Sequence, residues 1–209
     1  MPPPPTLRVA EIFGSIQGEG LRQGEATIFI RLAGCNLRCA FCDTKRAWRG
    51  GRAMSAARIL AAVRRLGRRW PASWADLTGG EPMLQDIGPL VDGLRADGLS
   101  IQIETNGTVF RPLPFDWITV SPKPPAYAAD PRLRLLASEV KVVVSRELTS
   151  AAVERLRAGY PERVPLILQP QSNAAWSREK ARRLLGAALR AGAANIRLGF
   201  QLHRLLRCR

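Results

Sequence analysis

Apolar residues along the chain form two alternating patterns, short continuous runs and stripes at helical spacing. The run at 27–32 is rich in β-branched and aromatic residues, which is typical of a buried strand. Residues 55–69 carry apolar side chains such as Ile59 and Val63 every three or four positions, behind a potential N-cap at Ser55. On these grounds strands are predicted at 8–13, 27–32, 74–77, 100–103, 117–120, 140–144, 166–168 and 195–198. Helices are predicted at 55–69, near 87–94, at 149–158 and at 178–190.

Strands that alternate with helices predict an α/β fold with a mostly parallel sheet. The chain has 209 residues, which is short for a closed eightfold barrel of about 250 residues, so a partial, open, TIM-like barrel is expected. We expect one domain from 7 to 209, behind a disordered Pro-rich lead at 1–6. Polar motifs follow the ends of several strands, and ligand sites in parallel α/β folds are built at that edge.

Composition narrows the class of protein. No apolar stretch reaches about 18 residues, and the first residues do not read as a secretory signal, so a cytoplasmic protein without a membrane span is expected. The formal net charge is +15. The arginines are spread along the chain and form no compact basic block with interleaved aromatics. This distribution favours solvated helix faces over direct nucleic-acid binding.

Three cysteines lie within eight residues, at Cys35, Cys39 and Cys42, in a C-x3-C-x2-C pattern directly after a predicted strand. A four-iron cluster needs a thiolate on each iron to be closed, so three cysteines leave one iron open for another ligand. A structural zinc site would need a fourth Cys or His nearby, and the only histidine is His203. Cys208 is expected to be a bystander thiol.

The cysteine pattern, followed a strand and a helix later by Gly79-Gly80-Glu81-Pro82, resembles the radical S-adenosylmethionine (SAM) superfamily. That resemblance implies a 4Fe-4S cluster on the three cysteines, whose open iron binds SAM and yields a 5′-deoxyadenosyl radical. It also implies that Phe41 lies near the adenine and that Gly80 contacts the methionine end of SAM.

Further segments in this order resemble 7-carboxy-7-deazaguanine synthases over nearly the whole length. They are 15–20 (Ser-Ile-Gln-Gly-Glu-Gly), 104–107 (Glu-Thr-Asn-Gly), 121–123 (Ser-Pro-Lys) and 201–203 (Gln-Leu-His). The resemblance implies a lyase that converts 6-carboxy-5,6,7,8-tetrahydropterin into 7-carboxy-7-deazaguanine with loss of ammonia, a step towards queuosine. It further implies Mg²⁺, a homodimer and an external flavodoxin- or ferredoxin-like electron donor.

The same resemblance implies roles for individual residues. Thr44 would bind Mg²⁺ through its hydroxyl group. The further SAM contacts would be Ser121, Pro122, Lys123, Gln169, Pro170, Gln171 and Ser172. The pterin contacts would be Ile16, Gln17, Gly18, Glu19, Arg31, Thr78, Glu104, His203 and the carboxylate of Arg209. This chain departs from the family at Arg204, where Lys is usual; the charge is kept but the donor geometry differs.

Two alternatives stay open at the level of the sequence. A glycyl-radical activase would share the cysteine loop and Gly-Gly-Glu-Pro but gives no reason for the Gln-Gly-Glu and Gln-Leu-His segments. A non-enzymatic, metal-stabilised RNA-binding domain would account for the basic charge and predicts zinc instead of an iron–sulfur cluster.

Overall fold

The computed structural model describes residues 5–208, so positions 1–4 of the predicted lead and Arg209 lie outside the described residues. The chain divides into two compact units. Unit 1 comprises residues 5–16, 25–105 and 111–117; unit 2 comprises residues 17–24, 106–110 and 118–208. The first strand begins at Thr6, inside the predicted lead. A single domain from 7 to 209 stays a prediction.

Unit 1 is a mixed sheet with helices. Its elements are β1 (Thr6–Ile16), β2 (Ala26–Leu32), β3 (Arg52–Ser55), α1 (Ala56–Gly67), β4 (Trp74–Gly79), α2 (Gly88–Ala96) and β5 (Ser100–Thr105). The strands lie in the order β3-β1-β2-β4-β5. β1 is antiparallel to β2 and β3, whereas β2, β4 and β5 are parallel. Because Leu32 pairs with Gly79, the cysteine loop and the Gly-Gly segment leave neighbouring strand ends.

Unit 2 is a parallel sheet with helices. Its elements are β6 (Trp117–Val120, of which Trp117 is counted with unit 1), α3 (Pro131–Leu136), β7 (Glu139–Val144), α4 (Ser150–Ala158), β8 (Leu166–Pro170), α5 (Ala175–Arg190), β9 (Ile196–Leu198) and α6 (Leu202–Leu205). The strands lie in the order β6-β7-β8-β9, and all these pairs are parallel. Parallel strands place the segments that follow β6 and β8 at the same edge of this sheet.

Local sequence signals account for the helix starts. Ser55 caps α1, and its Oγ accepts a hydrogen bond from the Arg58 N–H at 3.4 Å. Thr149 caps α4 in the same way through Ala152, at 3.2 Å. Each cap satisfies a backbone donor that has no partner within the helix.

The mixed α/β fold with mostly parallel strands, predicted from the alternation of patterns, is confirmed. The sequence missed β3, α3 and the four-residue helix α6. β3 reads Arg-Ala-Met-Ser and shows no alternation, while α3 leaves Leu135 and Leu136 exposed and so lacks a one-sided stripe. Within residues 5–208, no helix combines the length and apolar character needed to cross a bilayer.

Candidate functional site

The cysteine loop of unit 1 follows β2 directly. Cys35, Cys39 and Cys42 are half-buried and form no disulfide, and the Cys42 N–H donates to the Cys39 carbonyl at 3.0 Å in a tight turn. Phe41, between the last two cysteines, is also half-buried. The Thr44 hydroxyl, proposed for Mg²⁺, donates to Asp43 Oδ1 at 3.1 Å, so two hard oxygen groups lie side by side at the end of the loop.

Backbone hydrogen bonds fix the start of this loop against the end of β4. Gly80 N–H donates to the Leu32 carbonyl at 3.0 Å, and Glu81 N–H donates to the Gly34 carbonyl at 2.7 Å. A Cβ atom on Gly80 would lie 2.0 Å from the Gly34 carbonyl oxygen. The Gly-Gly pair is therefore required for the close packing of two backbone segments, in addition to any contact with a ligand.

Glu81, from the same motif, was not among the predicted site residues. Its side chain is fully buried, and its Oε1 accepts from the Thr105 hydroxyl at 2.8 Å and from the Met83 N–H at 3.1 Å. Gln85 lies nearby, and its Nε2 donates to the Ala33 carbonyl at 2.9 Å, which holds the segment just before the cysteine loop. Both side chains hold the segments that border the cysteine loop.

The electrostatics of the loop fit a positively charged centre. Burial raises the pKa of Cys35 most, the backbone hydrogen bond from Leu37 lowers it by the next-largest amount, and the charges of Glu81, Cys39 and Cys42 each raise it by less. A thiolate there needs a cationic partner to compensate both effects.

The kind of donor bears on the kind of metal centre. Within residues 5–208, no three His, Cys, Asp or Glu side chains form a ready-made site for a single metal ion. Each thiolate of an iron–sulfur cluster binds its own iron, and clusters are held by cysteine thiolates. Three cysteines on one loop are therefore donors of the type that such a cluster takes.

Further predicted substrate residues of unit 1 lie on neighbouring strands. The Thr78 hydroxyl on β4 donates to Glu104 Oε2 on β5 at 2.9 Å. Arg31 pairs with Thr78 in the register, and its Nε donates to Glu11 Oε1 at 2.8 Å. The structure thus places Thr78 and Glu104 in contact and adds Glu11 as an orienting partner of Arg31. Ile16 is the last residue of β1.

In unit 2, the loop 17–24, which contains the predicted substrate residues Gln17, Gly18 and Glu19, packs against the segment around His203. The Leu202 N–H donates to the Gly18 carbonyl at 2.8 Å. A Cβ atom on Gly18 would lie 1.9 Å from His203 Nδ1, so only glycine allows this approach. Two segments 185 positions apart in the sequence, both assigned to the substrate, are therefore in contact. Arg209 lies outside the described residues.

The predicted SAM contacts of unit 2 follow β6 and β8. After β6, the Ser121 hydroxyl donates to the Lys141 carbonyl at 2.7 Å and accepts from Lys123 Nζ at 2.5 Å, with Pro122 between the two. After β8, Gln171 and Ser172 form a short 3₁₀ turn.

Gln169 carries an unusual feature of this set. The residue is 2% exposed, yet neither Nε2 nor Oε1 has a hydrogen-bond partner among the described residues. Buried polar groups are nearly always hydrogen-bonded, so this amide has donor and acceptor capacity left for a polar partner. Pro170, the last residue of β8, follows it directly and is itself buried.

Several residues that contact the predicted site residues were not themselves predicted from the sequence. They are Glu11, Glu81, Glu139, Lys141 and Gln201. A usable signal existed for Glu139 and Lys141, since charged residues at alternate positions of an apolar strand run are rarely buried without a partner. Glu11 carries no such signal, because its partners, Arg31 and Arg46, are 20 and 35 residues away.

Comparison with known proteins places these clusters in context. Residues 29–125 match the radical SAM superfamily. The chain is 34% identical to a 7-carboxy-7-deazaguanine synthase of Rhodospirillum rubrum, covering 97% of this chain and 92% of the relative. It is also 34% identical to a synthase of the same name from Synechocystis sp., covering 95% and 91%. The crystal structure of QueE from Escherichia coli matches 95% of each chain at 31% identity, with a TM-score of 0.79.

Proposed function

The chain belongs to the 7-carboxy-7-deazaguanine synthase family of the radical SAM superfamily, and on that premise we propose that it converts 6-carboxy-5,6,7,8-tetrahydropterin into 7-carboxy-7-deazaguanine and ammonia. The observation that carries the proposal is similarity to synthases over nearly the full length, with the cysteine loop and Gly-Gly-Glu-Pro inside the matched superfamily region. Similarity of this extent favours the synthase over a glycyl-radical activase or an RNA-binding domain.

Cys35, Cys39 and Cys42 would hold the 4Fe-4S cluster, which together with SAM would supply one-electron radical chemistry at the substrate. The chain's own part is to position the cofactor. Gly80 leaves room for a close backbone approach. In unit 2, the unpartnered amide of Gln169 and the polar group formed by Ser121 and Lys123 would bind polar groups of SAM. The other SAM contacts proposed from the family are Phe41, Pro122, Pro170, Gln171 and Ser172.

The pterin offers a carboxylate at one end and the N–H donors of an aminopyrimidinone at the other. The Glu104 carboxylate, oriented by the Thr78 hydroxyl, would accept from those N–H groups. The guanidinium of Arg31, held through its Nε by Glu11, would bind the substrate carboxylate through its remaining N–H groups. In unit 2, the family implies further substrate contacts from the loop that starts at Gln17 and from the imidazole of His203.

Mg²⁺, an electron donor and a dimer are part of the same proposal. Thr44 beside Asp43 offers the hard oxygen ligands that Mg²⁺ prefers. Exposed cations surround the cysteine loop at Arg38, Lys45, Arg46, Arg49 and Arg52, which suits an acidic, flavodoxin- or ferredoxin-like donor.

A homodimer is implied by the family, and the exposed leucines of α3 supply apolar surface for an interface. Cysteines that form no disulfide suit the reducing cytoplasm as the site of action.

The test is turnover by the anaerobically reconstituted protein with reductant, SAM, Mg²⁺ and 6-carboxytetrahydropterin, followed by mass detection of the product. Cys39→Ala should abolish product formation. Cys208→Ala is the matched control, because this exposed thiol lies outside the loop, and it should leave turnover unchanged. SAM cleavage without 7-carboxy-7-deazaguanine would contradict the substrate assignment, and equal losses in both variants would contradict the cluster assignment.

A further inference from the structure

Two buried charges lie on one face of β7. Successive side chains of a strand point to opposite faces, so Glu139 and Lys141 share a face while Val140 and Val142 share the other. Glu139 is 1% exposed and Lys141 is 6% exposed. Charged side chains are rarely this buried unless they are paired. The partners of Glu139 and Lys141 therefore show which segment packs against this face of β7.

Lys141 is paired with the loop 17–24. Its Nζ lies 2.5 Å from Glu19 Oε2, and the other carboxylate oxygen, Glu19 Oε1, accepts from Gln201 Nε2 at 2.7 Å. Both oxygens of Glu19 are therefore engaged by the protein. The Glu19 N–H in turn donates to Gln17 Oε1 at 3.0 Å, which joins the ion pair to the first residue of the loop.

Glu139 holds the same loop at a second point. Its Oε2 accepts from the Leu21 N–H at 2.7 Å, and its Oε1 accepts from the Thr119 hydroxyl at 2.8 Å. A Cβ atom on Gly20 would lie 2.1 Å from Glu139 Oε1, so the loop backbone approaches the carboxylate directly. Glu139 and Lys141 thus hold the loop on either side of Gly20, Lys141 through Glu19 and Glu139 through Leu21.

Lys141 also borders a predicted cofactor segment, because its carbonyl accepts from Ser121. A buried ion pair seldom stabilises a fold more than apolar side chains of similar size would, which makes a positioning role the better account of it. We propose that Lys141 and Glu139 are positioning residues for substrate binding, which fix Gln17 and Gly18 against His203, and that Glu19 acts through this anchoring instead of contacting substrate itself. This inference rests on the proposed function, since it takes the loop to bind the pterin.

The experiment compares Lys141→Met, Lys141→Arg and Glu19→Gln in the reconstituted holoenzyme. Lys141→Met should raise the KM for the pterin at least tenfold, with SAM affinity and cluster absorbance unchanged. It should also speed amide hydrogen exchange within residues 17–24. Lys141→Arg keeps the charge and should restore most of the lost affinity. Glu19→Gln should act in the same direction, and adding it to Lys141→Met should cost little more, because both remove one ion pair.

Lys180→Met is the matched control, since Lys180 Nζ caps the carbonyls of Ser145 and Arg146 and does not contact the loop. It should change neither KM nor exchange in 17–24. Unchanged exchange and KM in Lys141→Met would overturn the inference, as would additive losses in the double variant. Should Lys141→Met fail to fold, Glu19→Gln carries the same readouts. If the wild type does not turn over the pterin but Lys141→Met still loosens 17–24, the proposed function fails and the anchoring stands.

Discussion

At the scale of single residues, the position of the cysteine loop depends on a missing methyl group. Gly80 lies so close to the segment before Cys35 that a Cβ atom would be 2.0 Å from the Gly34 carbonyl oxygen and 2.9 Å from that of Ala47. Both neighbours are backbone atoms, so rotation of a side chain cannot relieve the overlap. The Gly-Gly-Glu-Pro motif is thus as much a packing requirement as a ligand-binding one.

We therefore expect Gly80→Ala to displace the loop and to reduce the iron bound after reconstitution. Overpacking of this kind costs about 1–3 kcal/mol, so thermal unfolding of the protein should also occur at a lower temperature. Gly67→Ala is the control, because the nearest atom to its added Cβ is a methyl group at 3.9 Å. Full iron content in Gly80→Ala would contradict the packing argument.

At the scale of elements, two glycines lie inside helices, and the space around them differs although the sequence gives no sign of it. In α5, a Cβ atom on Gly186 would meet only the flexible end of Arg190, at 3.4 Å. In α2, a Cβ atom on Gly93 would lie 2.3 Å from Leu60 Cδ1, in α1. Gly186 therefore weakens its helix without benefit to packing, whereas Gly93 allows two helices of unit 1 to approach.

The two alanine variants should shift stability in opposite directions. Gly186→Ala should raise the free energy of unfolding by about 0.5–1 kcal/mol, which is the usual gain in a helix interior. Gly93→Ala should lower it, because Leu60 must move out of its position. Denaturant unfolding monitored by circular dichroism measures both. A gain in both variants would show that Leu60 adapts without cost.

The sequence predicted most elements because their signals are local. The β6 limits at 117–120 and the Ser55 cap follow from residues next to one another in the chain. Elements without such a signal were missed, such as α3 with its exposed leucines.

In the candidate site, too, local patterns could be predicted from the sequence and contacts between distant segments could not. The cysteine pattern is compact and was read directly, whereas the anchoring of Glu19 depends on residues 122 and 182 positions later in the sequence. Patterns within one segment cannot show that Lys141 is buried against Glu19, because only the packing of the strands brings the two charges together. Residue roles carried over from the family could be assigned, but the partners that orient those residues could not.

At the scale of the whole molecule, the dominant property is the net charge of +15. Like charges spread over a compact chain repel one another, which destabilises the folded state. Local ion pairs such as Arg64 with Asp97 offset only part of this repulsion, and they lie at the surface.

Added salt should therefore stabilise the protein. The screening (Debye) length falls from about 30 Å at 0.01 M salt to about 10 Å at 0.1 M, so repulsion between surface charges weakens. We expect sodium chloride over that range to raise the unfolding temperature by roughly 2–4 °C, the shift that about 1 kcal/mol produces in a chain of this size. The reversals Arg65→Glu and Arg183→Glu together lower the net charge by four, to +11, and should reduce the rise. A fall in unfolding temperature with salt would mean that ion pairs outweigh repulsion.

The hydrogen bond between Gln201 and Glu19 can form only after both residues have been translated. The two residues are 182 positions apart, so a ribosome adding about 5–20 residues per second makes the second partner roughly 10–40 s after the first. Glu139 and Lys141 are made earlier, so β7 can bind the loop before Gln201 exists. During that interval a nascent chain carries the loop 17–24 without the hydrogen bond from Gln201, and chaperones and proteases would encounter the loop in that state.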